Sequence, residues 1–269
     1  MKYPAITSTA NPIIKEAIKI KERHSRYGNE AFLIEGLRLV GMTAASPDAA
    51  IKKVFFTKDF ITGRDGRQLL KLIAKKDIQL IETSKHILSK LTDTEMPQGI
   101  VAVVSYGLKG ISDIRFKGIP LLVVCDGIQD PGNLGTIIRV SDAVSADAVI
   151  ILPYTCNVFM PKTLRATAGS LFNISIVYSE YAELFAYLDS KDINLYAADT
   201  RADNSIYETN LKIPLAVAFG NEAHGDSRTL LKMSKRVFRI PIFGKAESLN
   251  VAMAASICLY EAVRQRLSC

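Results

Sequence analysis

At 269 residues the chain is long for one compact domain and comfortable for two, and 48% hydrophobic with 23% charged residues is the composition of an ordinary globular protein with a sizeable core. No apolar run approaches the length of a membrane helix, and the opening residues Met1 to Thr7 carry no signal-like apolar stretch, so a cytoplasmic protein is expected. Net charge is +7 but unevenly placed: residues 1–118 hold 20 Lys/Arg against 12 Asp/Glu, a charge of +8, while residues 119–269 come to −1. The front of the chain therefore suits a phosphate-backbone partner, with a solvated lysine-rich surface as the plainer alternative.

Asn11-Pro12-Ile13-Ile14 opens a helix, with Asn as cap, Pro at the first helical position and Ile14, Ala17 and Ile18 as its apolar stripe. A strand over 31–35 leads through Gly36 into a helix ending near Ala45. Strand 54–57 is followed by a helix over 68–75, strand 78–81 by a short helix near Ile87, and 99–104 closes the series. This alternation predicts a small α/β/α unit over 1–105. The glycine-rich, charged stretch 106–118 reads as a linker.

Alternation resumes at Pro120. Apolar runs at 121–125, 148–152, 174–177, 195–198, 215–219 and 237–240 predict a parallel sheet covered on both faces, in a domain over 119–269 that closes with a helix over 249–267. Cys125, Cys156, Cys258 and Cys269 are scattered, with no C-x-x-C pair. His24, His86 and His224 are too dispersed to build a metal site with them, so no metal is expected.

Three glycine-bearing segments carry the chemistry. In the first, 126–139, a strand runs into a glycine-rich loop over 127–135 and then a helix from Thr136; the Gly132-x-x-Gly135 spacing does not match a dinucleotide-binding G-x-G-x-x-G. Arg139, a turn into that helix, can reach a phosphate or sugar, or else pair with Asp142 on the surface. The second, 219–225, leaves an apolar strand, where ligands of open α/β sheets gather. Its Glu222 is either a ligand acceptor or a cap for the helix near Ser227, and His224 has no evident catalytic partner. In the third, 240–255, Ser248 reads as a helix cap with Asn250 inside the first turn, where Asn is a poor helix former and a hydrogen-bonding duty is plausible. The small residues after it also fit an ordinary buried or dimer-forming helix.

Taken together, Gly132-Asn133-Leu134-Gly135-Thr136 through Arg139, Gly220-Asn221-Glu222 through Gly225, and Ile240-Pro241 through Glu247-Ser248-Leu249-Asn250-Val251 resemble the three motifs of the SpoU (TrmH) family of RNA ribose methyltransferases. The segment 161–170 is similar to the family's stretch after its second strand, and 32–36 with 96–99 is similar to the substrate-binding domain often fused in front. The resemblance covers nearly the whole chain. It implies a small N-terminal RNA-binding domain, and a C-terminal parallel-sheet α/β domain whose last segment forms a deep trefoil knot. It also implies S-adenosylmethionine as cofactor, contacted by backbone groups matching Gly220, Ile240 and Leu249, and a homodimer built on the helices of the first and third motifs. By the same resemblance Arg139 activates the ribose 2′-hydroxyl, with Asn133, Glu222, Ser248 and Asn250 arranging it and the cofactor. Ribosomal RNA is favoured over transfer RNA, because the fused front domain is more typical of ribosomal RNA modifiers. Two other readings stand beside it: a non-catalytic RNA-binding or ribosome-assembly factor that keeps the fold, and a Rossmann-type nucleotide enzyme, which the glycine spacing disfavours.

Overall fold

The computed structural model describes residues 3–22, 31–76, 78–221, 225 and 227–267, and the chain divides into two compact units, Met1–Gly107 and Leu108–Cys269. The first unit runs β1 (Ala5–Ile6), α1 (Pro12–Glu22), β2 (Phe32–Glu35), α2 (Leu37–Ala45), β3 (Ala49–Thr57), α3 (Arg64–Ile73), β4 (Gln79–Thr83), α4 (Lys85–Leu91) and β5 (Ile100–Tyr106). Asn11 caps α1 as expected, its Oδ1 accepting from the Ile13 amide at 2.9 Å. The sheet order is β1-β4-β3-β5-β2, parallel across β1/β4 and β3/β4 but antiparallel where β5 meets β3 and β2. Alternation of strands and helices does not reveal this reversal, because pairing direction is set by how β5 returns. On one face Phe55, Ile81, Val101 and Val103 pack with Ile14 and Ala17 of α1 and with Ile87, Leu88 and Leu91 of α4. Apart from the small Ala17, each of these buried side chains contributes roughly 1.5–3 kcal/mol relative to exposure.

The second unit runs β6 (Leu121–Asp126), α5 (Pro131–Ala143), β7 (Ala148–Ile151), α6 (Pro161–Thr167), β8 (Ser175–Tyr178), α7 (Tyr181–Ser190), β9 (Asn194–Ala198), β10 (Asn204–Ser205), β11 (Leu215–Gly220), α8 (Arg228–Met233), β12 (Arg236–Arg239) and α9 (Val251–Leu267). Its sheet is wholly parallel, in the order β10-β12-β9-β11-β6-β7-β8. β6, β7 and β11 are buried along their full length, which is why their sequences are unbroken apolar runs. The two-residue β10 is polar and carries no apolar signal by which it could have been anticipated.

Register places the functional edge. Gly220 pairs with Asp126 and Cys125 with Ile151, so the carboxyl ends of β11, β6 and β7 lie side by side. Two departures from the expected boundaries matter. Residues 108–118 belong to this unit: Ile111 and Ile114 are buried in its core with Leu122 and Val124. And α5 starts at Pro131 rather than Thr136, because Asp130 caps it and proline is tolerated at the first helical position.

Candidate active site

The early start of α5 changes what its glycines do. Gly132 and Gly135 sit inside the helix and do not form a phosphate-cradling loop. A Cβ on Gly135 would lie 2.5 Å from the Ala166 Cβ and 2.6 Å from the Thr163 carbonyl oxygen, so this glycine lets α5 and α6 touch backbone to backbone. The turn that delivers the chain into α5 contains Gly127 at φ 72°, a left-handed conformation that suits glycine. Asp130 holds the helix start: one carboxyl oxygen accepts from the Asn133 amide at 2.9 Å, and the other from Lys162 Nζ at 2.6 Å.

The first and third segments meet directly. Asn250, not Ser248, caps α9: its Oδ1 accepts from the Ala252 and Met253 amides at 2.9 and 3.3 Å, and Ser248 lies exposed two residues earlier. Asparagine is as good a cap as serine, and the helix begins two residues later than Ser248 would place it. Because the helix amides occupy Oδ1, the Asn250 Nδ2 must point outward, and it donates to Asn133 Oδ1 at 2.9 Å. That bond in turn fixes Asn133 with its NH₂ as the remaining donor edge of the side chain. Two helix N-termini, each favourable to negative charge, thus converge through one amide pair.

At the neighbouring strand end, the Asp126 carboxylate is 3% exposed and accepts from Tyr181 Oη at 2.5 Å and from the Ser227 amide at 2.6 Å. Burial, followed by the Asp126 bond, pushes the Tyr181 phenol up to about 12. Asn221 and Gly225 exchange both backbone hydrogen bonds, at 3.0 and 2.8 Å, and Asn221 Nδ2 donates to the Gly127 carbonyl at 2.9 Å. The exits of β6 and β11 are therefore stitched together by side chains from both.

Among the expected site residues, Gly220 is buried at the end of β11, while Ile240 and Leu249 are half-buried at either end of the exposed segment after β12. Arg139 is exposed on α5; it makes no ion pair with Asp142, which instead accepts from Asn173 Nδ2 at 3.0 Å. No hydrogen bond joins Arg139 to Asn133, Ser248 or Asn250. Glu222 and His224 lie outside the described residues. Among the described residues no cluster of His, Cys, Asp and Glu could hold a metal ion, and no helix is long and apolar enough to cross a membrane.

Three positions escaped sequence reasoning. Asp130 was findable, because Asp-Pro repeats the cap-then-proline signal already recognised at Asn11-Pro12. Asp126, a carboxylate closing an apolar strand, was also a signal, since such groups are rarely buried without a partner. Tyr181 was not, because only the fold brings it 55 residues back to Asp126.

Asp130 supplies a pH prediction. The Lys162 ammonium, then the Asn133 amide, hold its carboxyl below the ordinary value of 3.8. A depressed carboxylate contributes stability that is present above 3.8 and lost as pH falls through the lowered folded value. For a pair this exposed the contribution is below about 1 kcal/mol. In thermal melts, the advantage of wild type over Asp130→Asn is expected to shrink to nothing between about pH 5 and pH 2, and a constant advantage across that range would contradict the assignment.

Residues 120–260 match the SpoU rRNA Methylase family, and residues 11–102 match the MRM3-like substrate binding domain. The 23S rRNA (guanosine(2553)-2′-O)-methyltransferase RlmP of Bacillus subtilis is 32% identical over 255 residues, covering 95% of this chain and 97% of that protein. The 23S rRNA (guanosine-2′-O-)-methyltransferase RlmB of Pectobacterium atrosepticum is 31% identical, over 87% of this chain and 98% of its own. Among solved structures, the AdoMet-bound rRNA methyltransferase from Sinorhizobium meliloti superposes with a TM-score of 0.86 at 28% identity, covering 97% of this chain and 98% of that one. With the motif order, the parallel sheet and the joined helix N-termini in place, the chain belongs to the SpoU rRNA methylase family.

Proposed function

We propose that the chain transfers a methyl group from S-adenosylmethionine to a ribose 2′-hydroxyl of 23S ribosomal RNA, with residues 1–105 capturing the RNA and residues 119–269 carrying the reaction. The observation that carries this reading is the Asn250–Asn133 hydrogen bond, which joins the first and third motif segments at the edge where the strands end. The relatives named above are 23S rRNA 2′-O-methyltransferases, which favours ribosomal over transfer RNA.

The residues present fit the cofactor. Backbone groups of 241–249 form no hydrogen bond with another described residue, so this stretch keeps amides and carbonyls to offer a ligand. When bound, S-adenosylmethionine supplies a sulfonium methyl whose leaving group is already activated, so position accounts for much of the acceleration. What the protein must add is orientation and charge. A guanidinium, with a pKa above about 12, is a poor proton acceptor. Arg139 therefore orients the 2′-hydroxyl and its adjacent phosphate and stabilises the developing alkoxide, while the proton leaves to phosphate or water. Asn133 and Asn250 hold donor groups at the converging helix ends, and Glu222 and Ser248 complete the arrangement.

The same reading includes a homodimer, a trefoil knot and a cytoplasmic location. α9 leaves Met253, Ile257 and Tyr260 exposed at 62%, 36% and 54%, an apolar stripe at helical spacing that supports a partner helix. The knot is supported by topology: β12 lies three strand positions from β6, yet the chain leaving it returns to α5 through Asn250. Cys125, Cys156 and Cys258 take part in no disulfide among the described residues, in keeping with a reducing compartment.

Mapping ribose methylation in 23S rRNA from a strain lacking the gene, against the complemented strain, tests the proposal. One ribose is expected to lose its methyl group in the deletion strain, and titration calorimetry is expected to show binding of S-adenosylmethionine and not of NAD. An unchanged methylation map, with no heat from either ligand, would instead support the non-catalytic RNA-binding reading.

A further inference from the structure

Tyr154 stands three residues beyond β7, at the same edge of the sheet as Asp126 and Gly220. Its backbone is left-handed, with φ 67°. For a residue with a Cβ this conformation is unfavourable, and glycine or asparagine would take it at little cost. Strain of this kind persists where surrounding structure enforces it, and it is a reason to ask what the side chain does. Here the enforcement is visible. Thr155 Oγ1 accepts from the Gly127 amide at 2.9 Å and donates to the Cys125 carbonyl at 3.0 Å, while the Cys156 amide donates to the Ile128 carbonyl at 2.8 Å. Three hydrogen bonds thus pin the Tyr154 loop to the strand exit that feeds α5.

Having been fixed so firmly, the side chain is not used for packing. Tyr154 is 72% exposed, and its ring makes no contact with another aromatic ring among the described residues. It stands near the Tyr181 phenol, which is itself bonded to Asp126. A rigid loop that presents a large, flat, amphipathic ring to solvent at the carboxyl edge of the sheet is the arrangement of a stacking platform.

Sheet order decides which flat ligand it suits. The cofactor positions Gly220 and Ile240 follow β11 and β12, on one side of β6, whereas Tyr154 follows β7 on the other side. β7 and β11 are separated by β6, so the ends of these two strands lie about two strand spacings, roughly 10 Å, apart, and Tyr154 follows the β7 end by three residues. A ribose held on the β11 side can therefore direct its own base, or the base beside it, toward the β7 side where Tyr154 stands. Ribosomal RNA recognised in single-stranded form offers such unstacked bases to aromatic side chains.

We propose that Tyr154 stacks against an unpaired nucleobase of the RNA substrate, at or next to the methylated nucleotide, and so positions the target ribose. The inference rests on the functional reading above for where the cofactor lies. It is tested with the full-length chain, comparing wild type with Tyr154→Gly, which removes the ring and relieves the left-handed strain, and with Tyr154→Phe, which keeps the ring. Affinity for unmodified 23S rRNA by filter binding, KM for that RNA, calorimetric affinity for S-adenosylmethionine and the melting temperature are read for each.

Tyr154→Gly is expected to weaken RNA binding and raise KM by roughly tenfold, while cofactor affinity stays within about twofold and the protein melts no lower than wild type. Tyr154→Phe is expected to match wild type. Unchanged RNA affinity in Tyr154→Gly, an equal loss in Tyr154→Phe, or a parallel loss of cofactor affinity would each overturn the proposal. A wild-type chain that binds 23S rRNA without methylating it would overturn the functional reading instead, and the binding comparison would still decide the role of Tyr154.

Discussion

Replacing Arg139 with alanine is expected to lower kcat on unmodified 23S rRNA by at least about 100-fold, the scale seen when one preorganised charge-stabilising group is removed from an active site. Replacement with lysine is expected to be nearly as damaging. An ammonium keeps the charge but loses the planar fork that grips a hydroxyl and a phosphate together. Because Arg139 is exposed on α5 and makes no ion pair with Asp142, neither change should disturb folding by more than about 0.5 kcal/mol. Affinity for S-adenosylmethionine is expected to hold, since the positions proposed for the cofactor lie on other segments. Single-turnover transfer of labelled methyl checks this, and near-normal turnover by Arg139→Lys would show that the bidentate role is wrong.

The second large effect is on stability. Arg266, in the last turn of α9, is half-buried and donates to four backbone carbonyls: Leu211 at 3.0 Å, Ile119 at 2.8 Å, Pro120 at 3.0 Å and Ile213 at 2.8 Å. Beside it, Gln265 accepts from the Leu211 amide at 2.9 Å and donates to the Thr209 carbonyl at 3.0 Å. The end of α9 is thereby fastened to the amino-terminal edge of the sheet, while its other end holds Asn250 at the site. Arg266→Met keeps the apolar stem and removes every donor. With several carbonyls left short of partners at about 1–3 kcal/mol each, and some regained by water, a net loss of about 3 kcal/mol is expected. For a unit of this size that lowers the melting temperature by roughly 10 °C. Calorimetry on the full chain would register it, and a fall of under about 2 °C would mean that water replaces the guanidinium at no cost.

Much of the fold was legible because burial writes itself into composition. β6, β7 and β11 are covered on both faces, so their positions are almost all apolar and their runs stand out. The cap and first-position proline at Asn11-Pro12 were legible for a local reason: the bond between the Asn11 side chain and the Ile13 amide spans two residues. Helix boundaries in the catalytic unit were less so. Ser248 and Asn250 are both good caps by residue type, and only the backbone path after β12 decides which of them meets the first free amides.

The sequence by itself determined that there are two domains, that the positive charge belongs to the first, and that the second carries three spaced motifs of an RNA methyltransferase family. These are properties of composition and order along the chain, which need no partner at a distance. Tertiary structure alone decided which of those residues meet. It bonded Asn250 to Asn133 across 117 residues, tied the buried Asp126 to Tyr181 and Ser227, turned Gly135 into a helix-packing contact, and set Tyr154 on a strained, pinned loop at the carboxyl edge of the sheet. The reason is physical: a hydrogen bond of this kind depends on strand order and helix crossing, and neither is encoded in the spacing of the two residues that make it.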